Sequence, residues 1–511
     1  MDSNELKNTL KRLCKVMWNA RISNPITYVT QISYLLFLKM LEEMDVQQKA
    51  IGNGHYKSLF GQFSVDGKKI DFEVLRWSRL TSDPDNNRML RTLQDTLPLL
   101  ADHPLLSQGA RAIFRNASVV IPNGADLRKA VDIISPISFI AGDADVKGDL
   151  FEMLVSDLGS QKKAAQFRTP RHLVRVIVQM VDPKIGQTIC DSACGSGGFL
   201  IEAYNHILLQ NTSPELVHEK IGVDGLPVKV GIGDKLTRVQ WDFLQKHTFY
   251  GFEGDQDIIR MAVMNAVLHQ FDQSEFVCRD SICGSEDKWD ELQFDIILEN
   301  PPFSGSRGDA KRSLRIDKGD KYVLFLACAL RSLRQGGTAG IIFPNGILFG
   351  DTNSHRYVKE RLIKEFDLQA VVTLPKGMFE PYTPNPTCFM IFRKTGKPTE
   401  KVWFYNVEGD GSSLKKARKF GPQYRNDFPD LLAKWPKRQT EEGRAWLVPA
   451  KKIIDNDYNM TLSALGLVKP DEIEHAEPEE ILESVAAKQE KIADLIEEMQ
   501  KLLINGGNGN G

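Results

Sequence analysis

Apolar positions in the first 140 or so residues recur at helical spacing, most plainly in YVTQISYLLFLKMLEEMD (Tyr28 to Asp45), which ends in charge. Turn-rich pieces, IGNGHYKSLFG and TSDPDNN, interrupt the helices. This predicts a helical packing or partner domain over residues 1–142. From about Asp143 the pattern becomes short apolar runs alternating with helical stretches. QTICDSA (Gln187 to Ala193), TFYGFE (Thr248 to Glu253), EFVCRD (Glu275 to Asp280), FDIILE (Phe294 to Glu299), TAGIIFP (Thr338 to Pro344) and LQAVVTLP (Leu368 to Pro375) read as strands. DQDIIRMAVMNAVLHQ and KYVLFLACALRSLRQGG read as helices between them. Alternation of this kind predicts an open, mostly parallel α/β sheet, which binds ligands at the carboxyl ends of its strands.

Beyond these elements the chain breaks into short pieces. The basic stretch LKKARKFGPQYR (Leu414 to Arg425) reads as a solvated face. Ile481, Val485, Lys488, Ile492, Leu495, Met499 and Leu502 then step by alternating fours and threes, a heptad seam with one polar interruption, and the terminal NGGNGNG reads as a flexible tail. A helix with such a seam needs a partner.

Composition narrows the class without naming a chemistry. With 42% hydrophobic and 26% charged residues the 511-residue chain is not globally disordered, and a net charge of −2 neither demands nor excludes a nucleic-acid partner. Seven cysteines without a C-x-x-C pair suggest reduced, mostly buried thiols rather than disulfides or a metal site. The charged N-terminus is unlike a signal peptide and no apolar run reaches the roughly 18 residues of a membrane span, so a cytoplasmic protein is expected.

Two loops carry candidate chemistry. CDSACGSGGFL (Cys190 to Leu200) puts a glycine turn between a strand and a helix, where the helix N-terminus offers free N–H groups to an anion. By itself such a turn serves a purely structural reversal equally well. The P-loop pattern is absent, and Phe199 and Leu200 stand where the dinucleotide pattern needs its third glycine. S-adenosylmethionine fits what remains: its carboxylate suits the helix N-terminus, its amine Asp191, and its ribose the acid Glu253 that ends the next strand. In FDIILENPPFSGS, a strand stops at Asn300-Pro301-Pro302-Phe303. An exocyclic amine on adenine is a poor nucleophile unless fixed oxygens accept both its N–H bonds, and the Asn300 amide and Pro301 carbonyl could do so. Pro301 and Pro302 stiffen the turn, and Phe303 offers a face on which a flipped base can stack.

With these residues in view, the sequence resembles the modification subunits of type I restriction-modification systems, adenine-N6 DNA methyltransferases of the gamma group. The segment GDLFEMLVSDLGSQKKAAQFRTPRHLVRVIVQMVDP, and DSACGSGGFLIEA, ENPPFSG, GGTAGIIFPNGILF and DYNMTLSALG, carry the resemblance from roughly Asp143 to Ala464. It implies an S-adenosylmethionine-dependent, Rossmann-like α/β domain over 143–464, behind the helical N-terminal domain, with residues 465–511 forming a coiled-coil helix and tail for subunit assembly. Gln166, Phe167, Thr169, Pro170, Asp191, Ala193, Gly195, Ser196, Gly197, Glu253 and Asp280 would hold the cofactor, and Asn300, Pro301, Pro302 and Phe303 would form the methyl-transfer site. Double-stranded DNA, a specificity subunit serving two modification subunits, and a restriction subunit would be the partners. Ser192 departs from the family's usual proline and Glu299 from a small residue. Competing readings are a protein glutamine N5-methyltransferase, which faces the same planar nitrogen, a non-catalytic scaffold that keeps the fold, and a dinucleotide oxidoreductase.

Overall fold

The computed structural model describes residues 3–51, 56–138, 169–222, 224–269, 271, 274–380, 383–415, 418–468 and 489. Gln166 and Phe167, and all of the heptad seam, lie outside them. Among the described residues, six helices build the N-terminal part: α1 (Ser3–Asn19), α2 (Pro25–Ile51), α3 (Trp77–Ser82), α4 (Asn86–Thr96), α5 (Gln108–Phe114) and α6 (Gly124–Ile134). The predicted helix over Tyr28–Asp45 is the middle of α2. Asp85, Ser107 and Asn123 cap α4, α5 and α6, each accepting a backbone N–H of the first turn. One departure from the helical expectation is a hairpin, β1 (Gln62–Val65) and β2 (Lys68–Asp71). Its turn is Asp66-Gly67, both at positive φ, a dipeptide that favours such a reversal.

The second part is built on a nine-stranded sheet. Its strands are β3 (Ile189–Asp191), β6 (Phe249–Glu253), β7 (Glu275–Cys278), β8 (Phe294–Glu299), β11 (Leu333–Pro344), β12 (Asp367–Thr373), β13 (Thr387–Arg393), β14 (Lys401–Asn406) and β15 (Ala445–Pro449), in the order β15-β14-β12-β13-β11-β8-β3-β6-β7. Two small ribbons complete the strands, β4 (His218–Ile221) with β5 (Pro227–Val230) and β9 (Ser306–Arg307) with β10 (Gly319–Asp320). The six predicted strands are all present. The sheet is nevertheless mixed, because β13 runs antiparallel between β11 and β12, and β15 antiparallel to β14. The helices that place the site are α7 (Arg171–Val181), α8 (Gly198–Gln210), α9 (Arg238–Lys246), α10 (Gln256–Leu268) and α11 (Lys321–Ser332). The long stretch between β3 and β6 is taken up by α8, the β4–β5 ribbon and α9.

Residues Met1–Thr461 form one compact unit, and Leu462–Gly511 form a second, of which 462–468 are described as turns. Within the first unit α10 is apolar nearly all round, as a helix buried on two sides must be. Its Met261, Val263, Met264 and Leu268 join the core of the N-terminal helices, while Ile259, Ala262 and Ala266 join the core under the sheet. Arg260 reinforces the junction by donating to the Arg115 carbonyl at 3.0 Å. No helix among the described residues is long and apolar enough to cross a membrane. All seven cysteines are free and five are buried, as expected.

A buried charge cluster fixes the loops on one side of the sheet. Asp290 receives Lys311 Nζ at 2.8 Å, Arg279 Nη2 at 2.8 Å and Arg331 Nη2 at 3.0 Å. Burial works against its charge, but these bonds and one from the Asp287 backbone outweigh it and hold the carboxyl well below the usual range. Lys311 is only 1% exposed, so removing the anion strands a buried cation. Asp290→Asn is therefore expected to lower stability by about 3–5 kcal/mol, read from the shift in the urea midpoint. Because the folded carboxyl titrates low, its contribution is present at neutral pH and fades in acid, so the variant should also lose less stability below pH ~4 than the wild type.

Candidate active site

The glycine loop opens where β3 ends. Asp191 is 2% exposed and its Oδ1 accepts the Ala193 N–H at 3.1 Å, turning the chain out of the sheet. Gly195 (φ 53°) and Gly197 (φ 85°) then take left-handed conformations, and Gly197 starts α8 with no side chain over the helix N-terminus. A Cβ on Gly198 would run into the Arg171 guanidinium. Neighbouring strands hold the loop in place. Cys194 N–H donates to the Phe252 carbonyl at 2.9 Å, Gly195 N–H to Glu253 Oε2 at 3.2 Å, and Asn265 of α10 to the Ser196 carbonyl at 3.1 Å. Glu253 also accepts the N–H groups of Gly254 and Asp255. Asp280, just past β7, caps its own turn by accepting from Ile282 and Cys283, and the adjacent Ser281 hydroxyl donates to the Ser192 carbonyl at 2.7 Å. Asp191, Ala193, Gly195, Ser196, Gly197, Glu253 and Asp280 thus gather at one end of the sheet.

Strand β8, next to β3, delivers the second loop to the same end. Asn300 Nδ2 donates to Thr169 Oγ1 at 2.9 Å, joining two candidates far apart in sequence. Its Oδ1 is buried and has no hydrogen-bond partner among the described residues. Pro170 precedes α7, so the helix start and Asn300 are set together. Phe303 meets the edge of Phe379, with ring centroids 5.4 Å apart. Phe379 follows Gly377 and Met378, whose carbonyls accept from Arg418 Nη2 at 3.0 and 2.6 Å. Arg418 pairs in turn with Asp410 at 3.2 Å, and Asp410 with His172 of α7 at 2.8 Å. The expectation of a solvated face for Leu414–Arg425 therefore fails at Arg418, which is a half-buried brace beneath the aromatic pair.

The electrostatics of the cleft are acidic. Burial pushes the Asp191 carboxyl well above its usual range, with the nearby Glu299 adding to the effect, and burial likewise raises Glu253. Glu299, fully buried at the end of β8, is pushed up to about 7 by burial, against the hydrogen bonding it receives at Ser192. No described cation pairs with any of these three carboxyls. The two departures noted in the sequence, Ser192 and Glu299, thus meet each other directly.

Residues 142–475 match the family described as N-6 DNA Methylase, and residues 6–134 match the HsdM N-terminal domain. The chain belongs to the N-6 DNA methylase family. Among its relatives, the type I restriction enzyme EcoEI methylase subunit of Escherichia coli is 26% identical over 518 residues, covering 98% of this chain and 97% of its own. The EcoKI methylase subunit of Escherichia coli K12 is 23% identical over 482 residues, covering 90% of this chain and 82% of its own. The fold agrees: a chain solved in a study of complex assembly and conformational transition of the type I R-M system superposes with a TM-score of 0.69 at 24% identity over 99% of both chains. The type I restriction-modification methyltransferase subunit of Streptococcus thermophilus gives 0.66 at 16% identity, covering 91% of this chain and 99% of its own. The resemblance read in the sequence is thus borne out: the chain is similar along nearly its whole length to type I restriction-modification methylase subunits.

In this N-6 DNA methylase the residues that sequence reasoning missed are the braces: Phe379, Asp410, His172, Arg418 and Asn265. Asn265 alone had an advance signal, an amide inside the apolar run MAVMNAVL. Arg418→Ala removes the donor to two carbonyls and the cation opposite a fully buried Asp410. A loss of about 2–4 kcal/mol is expected, with Arg418→Lys restoring only part because an ammonium cannot span the same acceptors. Thermal and denaturant melts of the two variants check this.

Proposed function

We propose that this methylase subunit transfers a methyl group from S-adenosylmethionine to the N6 amine of an adenine flipped out of duplex DNA, protecting host DNA from cleavage. The observation that carries the reading is the unpaired, buried Oδ1 of Asn300, an acceptor awaiting a donor beside the glycine loop. When bound, S-adenosylmethionine supplies an electrophilic methyl group on a sulfonium. Gly195 and Gly197, at positive φ, leave room for close backbone approach, and the N–H groups at the start of α8 suit the cofactor's carboxylate. Asp191 suits its amine, Glu253 its ribose and Asp280 its adenine. Thr169 holds the Asn300 amide so that its oxygen, not its nitrogen, is presented to the substrate. Asn300 Oδ1 and the Pro301 carbonyl accept the two amine hydrogens, leaving the nitrogen lone pair directed at the methyl group. Pro302 keeps the turn stiff, and Phe303, steadied by Phe379, stacks on the base.

Sequence reading is assigned to a separate specificity subunit, with two modification subunits to each, and cleavage to a restriction subunit. The type I complexes named among the relatives support such an assembly. The C-terminal heptads, which lie outside the described residues, are the segment proposed to bind the specificity subunit.

Asn300→Ala is expected to reduce turnover by about 10²–10³-fold while S-adenosylmethionine affinity stays near wild type. Single-turnover methylation in the assembled complex, alongside direct cofactor titration, measures both, and unchanged turnover would sink the assignment. For Phe303→Ala a loss of about 1–3 kcal/mol of base stacking is expected, largely recovered in Phe303→Tyr. Fluorescence of a 2-aminopurine placed at the target position reports the flipped base, and equal signals from all three proteins would remove Phe303 from this role.

A further inference from the structure

Glu299 is not needed by the chemistry above, yet it is wholly enclosed at this end of the sheet. It is fully buried, it immediately precedes Asn300, and its Oε2 accepts the hydroxyl of Ser192, the second residue of the glycine-loop segment Asp191–Gly197. The Ser192 carbonyl is itself held by the Ser281 hydroxyl at 2.7 Å, so this tether is anchored on the β7 side as well. The other oxygen, Oε1, is buried without a hydrogen-bond partner among the described residues. Burying a carboxyl costs free energy unless a compensating charge or donor arrives. Asp191 stands one residue before Ser192, also buried and also without a described cation.

The surroundings supply no such compensation. Asp191 and Cys190 face Glu299 from β3, Cys328 faces it from α11, and Glu253 stands beyond Asp191 on β6. Arg279 acts on both thiols and Arg331 on Cys328, but both cations are engaged by Asp290, and Arg279 by Asp287 as well. The cluster therefore carries three carboxyls in a low-dielectric setting, where a cation is attracted over a distance at which water would screen it.

We propose that Glu299, tethered by Ser192, is a buried counter-charge for the cationic end of S-adenosylmethionine, making the site prefer the sulfonium cofactor over its uncharged thioether product and release a proton on binding. This rests on the cofactor reading above. The preference follows from the reaction itself: methyl transfer removes the positive charge from sulfur, so the attraction that helped to load the cofactor is gone when the product must leave. The proton follows from linkage. With the carboxyl poised at about 7 in the free protein, a cation favours its ionised form, so binding below that pH expels a proton to the buffer. Affinity for the cofactor then climbs as pH rises towards 7 and levels off above it.

The test is calorimetry of the full-length subunit with S-adenosylmethionine and with S-adenosylhomocysteine, between pH 6 and 8.5, in two buffers of different ionisation enthalpy. Below pH ~7 the wild type should release more of a proton with S-adenosylmethionine than with the product, because the ammonium that Asp191 would answer is common to both and only the sulfonium differs. Glu299→Gln, which keeps the shape and removes the charge, should abolish that difference and narrow the preference for cofactor over product by on the order of tenfold. Ser192→Ala keeps the carboxylate but removes its hydroxyl donor, so the release should persist with its midpoint moved to higher pH. Proton release and preference unchanged in Glu299→Gln would overturn the proposal and leave the effect to Asp191. If Glu299→Gln does not fold, an unmoved midpoint in Ser192→Ala overturns it equally. Absence of S-adenosylmethionine binding in the wild type would instead fell the cofactor reading itself.

Discussion

Strand β3 is three residues long, and its parallel pairing on both sides, with β6 and with β8, is the constraint on which the site depends. Parallel strands about 4.8 Å apart end on the same side, so the loops after Asp191, Glu253 and Glu299 begin almost in contact. Loops crowded this closely cannot all hydrogen-bond to water, and their polar groups must satisfy one another. The result is the lattice around the glycine turn: Glu253 on Gly195, Ser281 on Ser192, Ser192 on Glu299, and Asn265 on Ser196. Each of these bonds joins two different elements. The glycine loop and the Asn300–Phe303 loop are therefore not two pieces placed near each other but one hydrogen-bonded network.

The exception within that lattice gives it direction. Most buried polar atoms near the loops have partners, whereas Asn300 Oδ1, Glu299 Oε1 and Asn265 Oδ1 have none among the described residues. Buried acceptors without donors are costly, and two consecutive residues at the end of a central strand both show the feature. In the proposed function Asn300 Oδ1 meets the amine, while Glu299 is tied to the glycine loop through Ser192. A site that leaves its own acceptors open is arranged for a ligand that brings donors or positive charge, which is what an adenine amine and a sulfonium share.

Much of this was legible in the sequence because the strands next to the site are marked at their ends. Asp191, Glu253, Asp280 and Asn300 each close an apolar run, and a polar residue at that place is visible without knowing the fold. What stayed hidden falls into two kinds. Strands β13 and β14, TCFMIFR and KVWFYN, are buried on both faces, so they lack the alternation that separates a strand from any other apolar run. The braces were hidden because their partners are remote: His172 meets Asp410 across 238 positions and Asn265 meets Ser196 across 69. Charge density made Leu414–Arg425 look solvated, yet local composition cannot say that Arg418 would find Gly377 and Met378 as well as an anion. The β1–β2 hairpin had its signal in Asp66-Gly67, overshadowed by the helices on either side.

Helix α10 has a consequence for how such proteins can diversify. The same helix fills the core of the N-terminal helices with Met261, Val263, Met264 and Leu268 and steadies the glycine loop through Asn265. A helical domain borrowed from a distant relative would have to match that apolar face side chain by side chain, or the helix would shift and carry the Ser196 carbonyl with it. The two halves are consequently not freely exchangeable modules, and recombination between lineages is tolerated only where the breakpoint keeps α10 together with the helices that cover it.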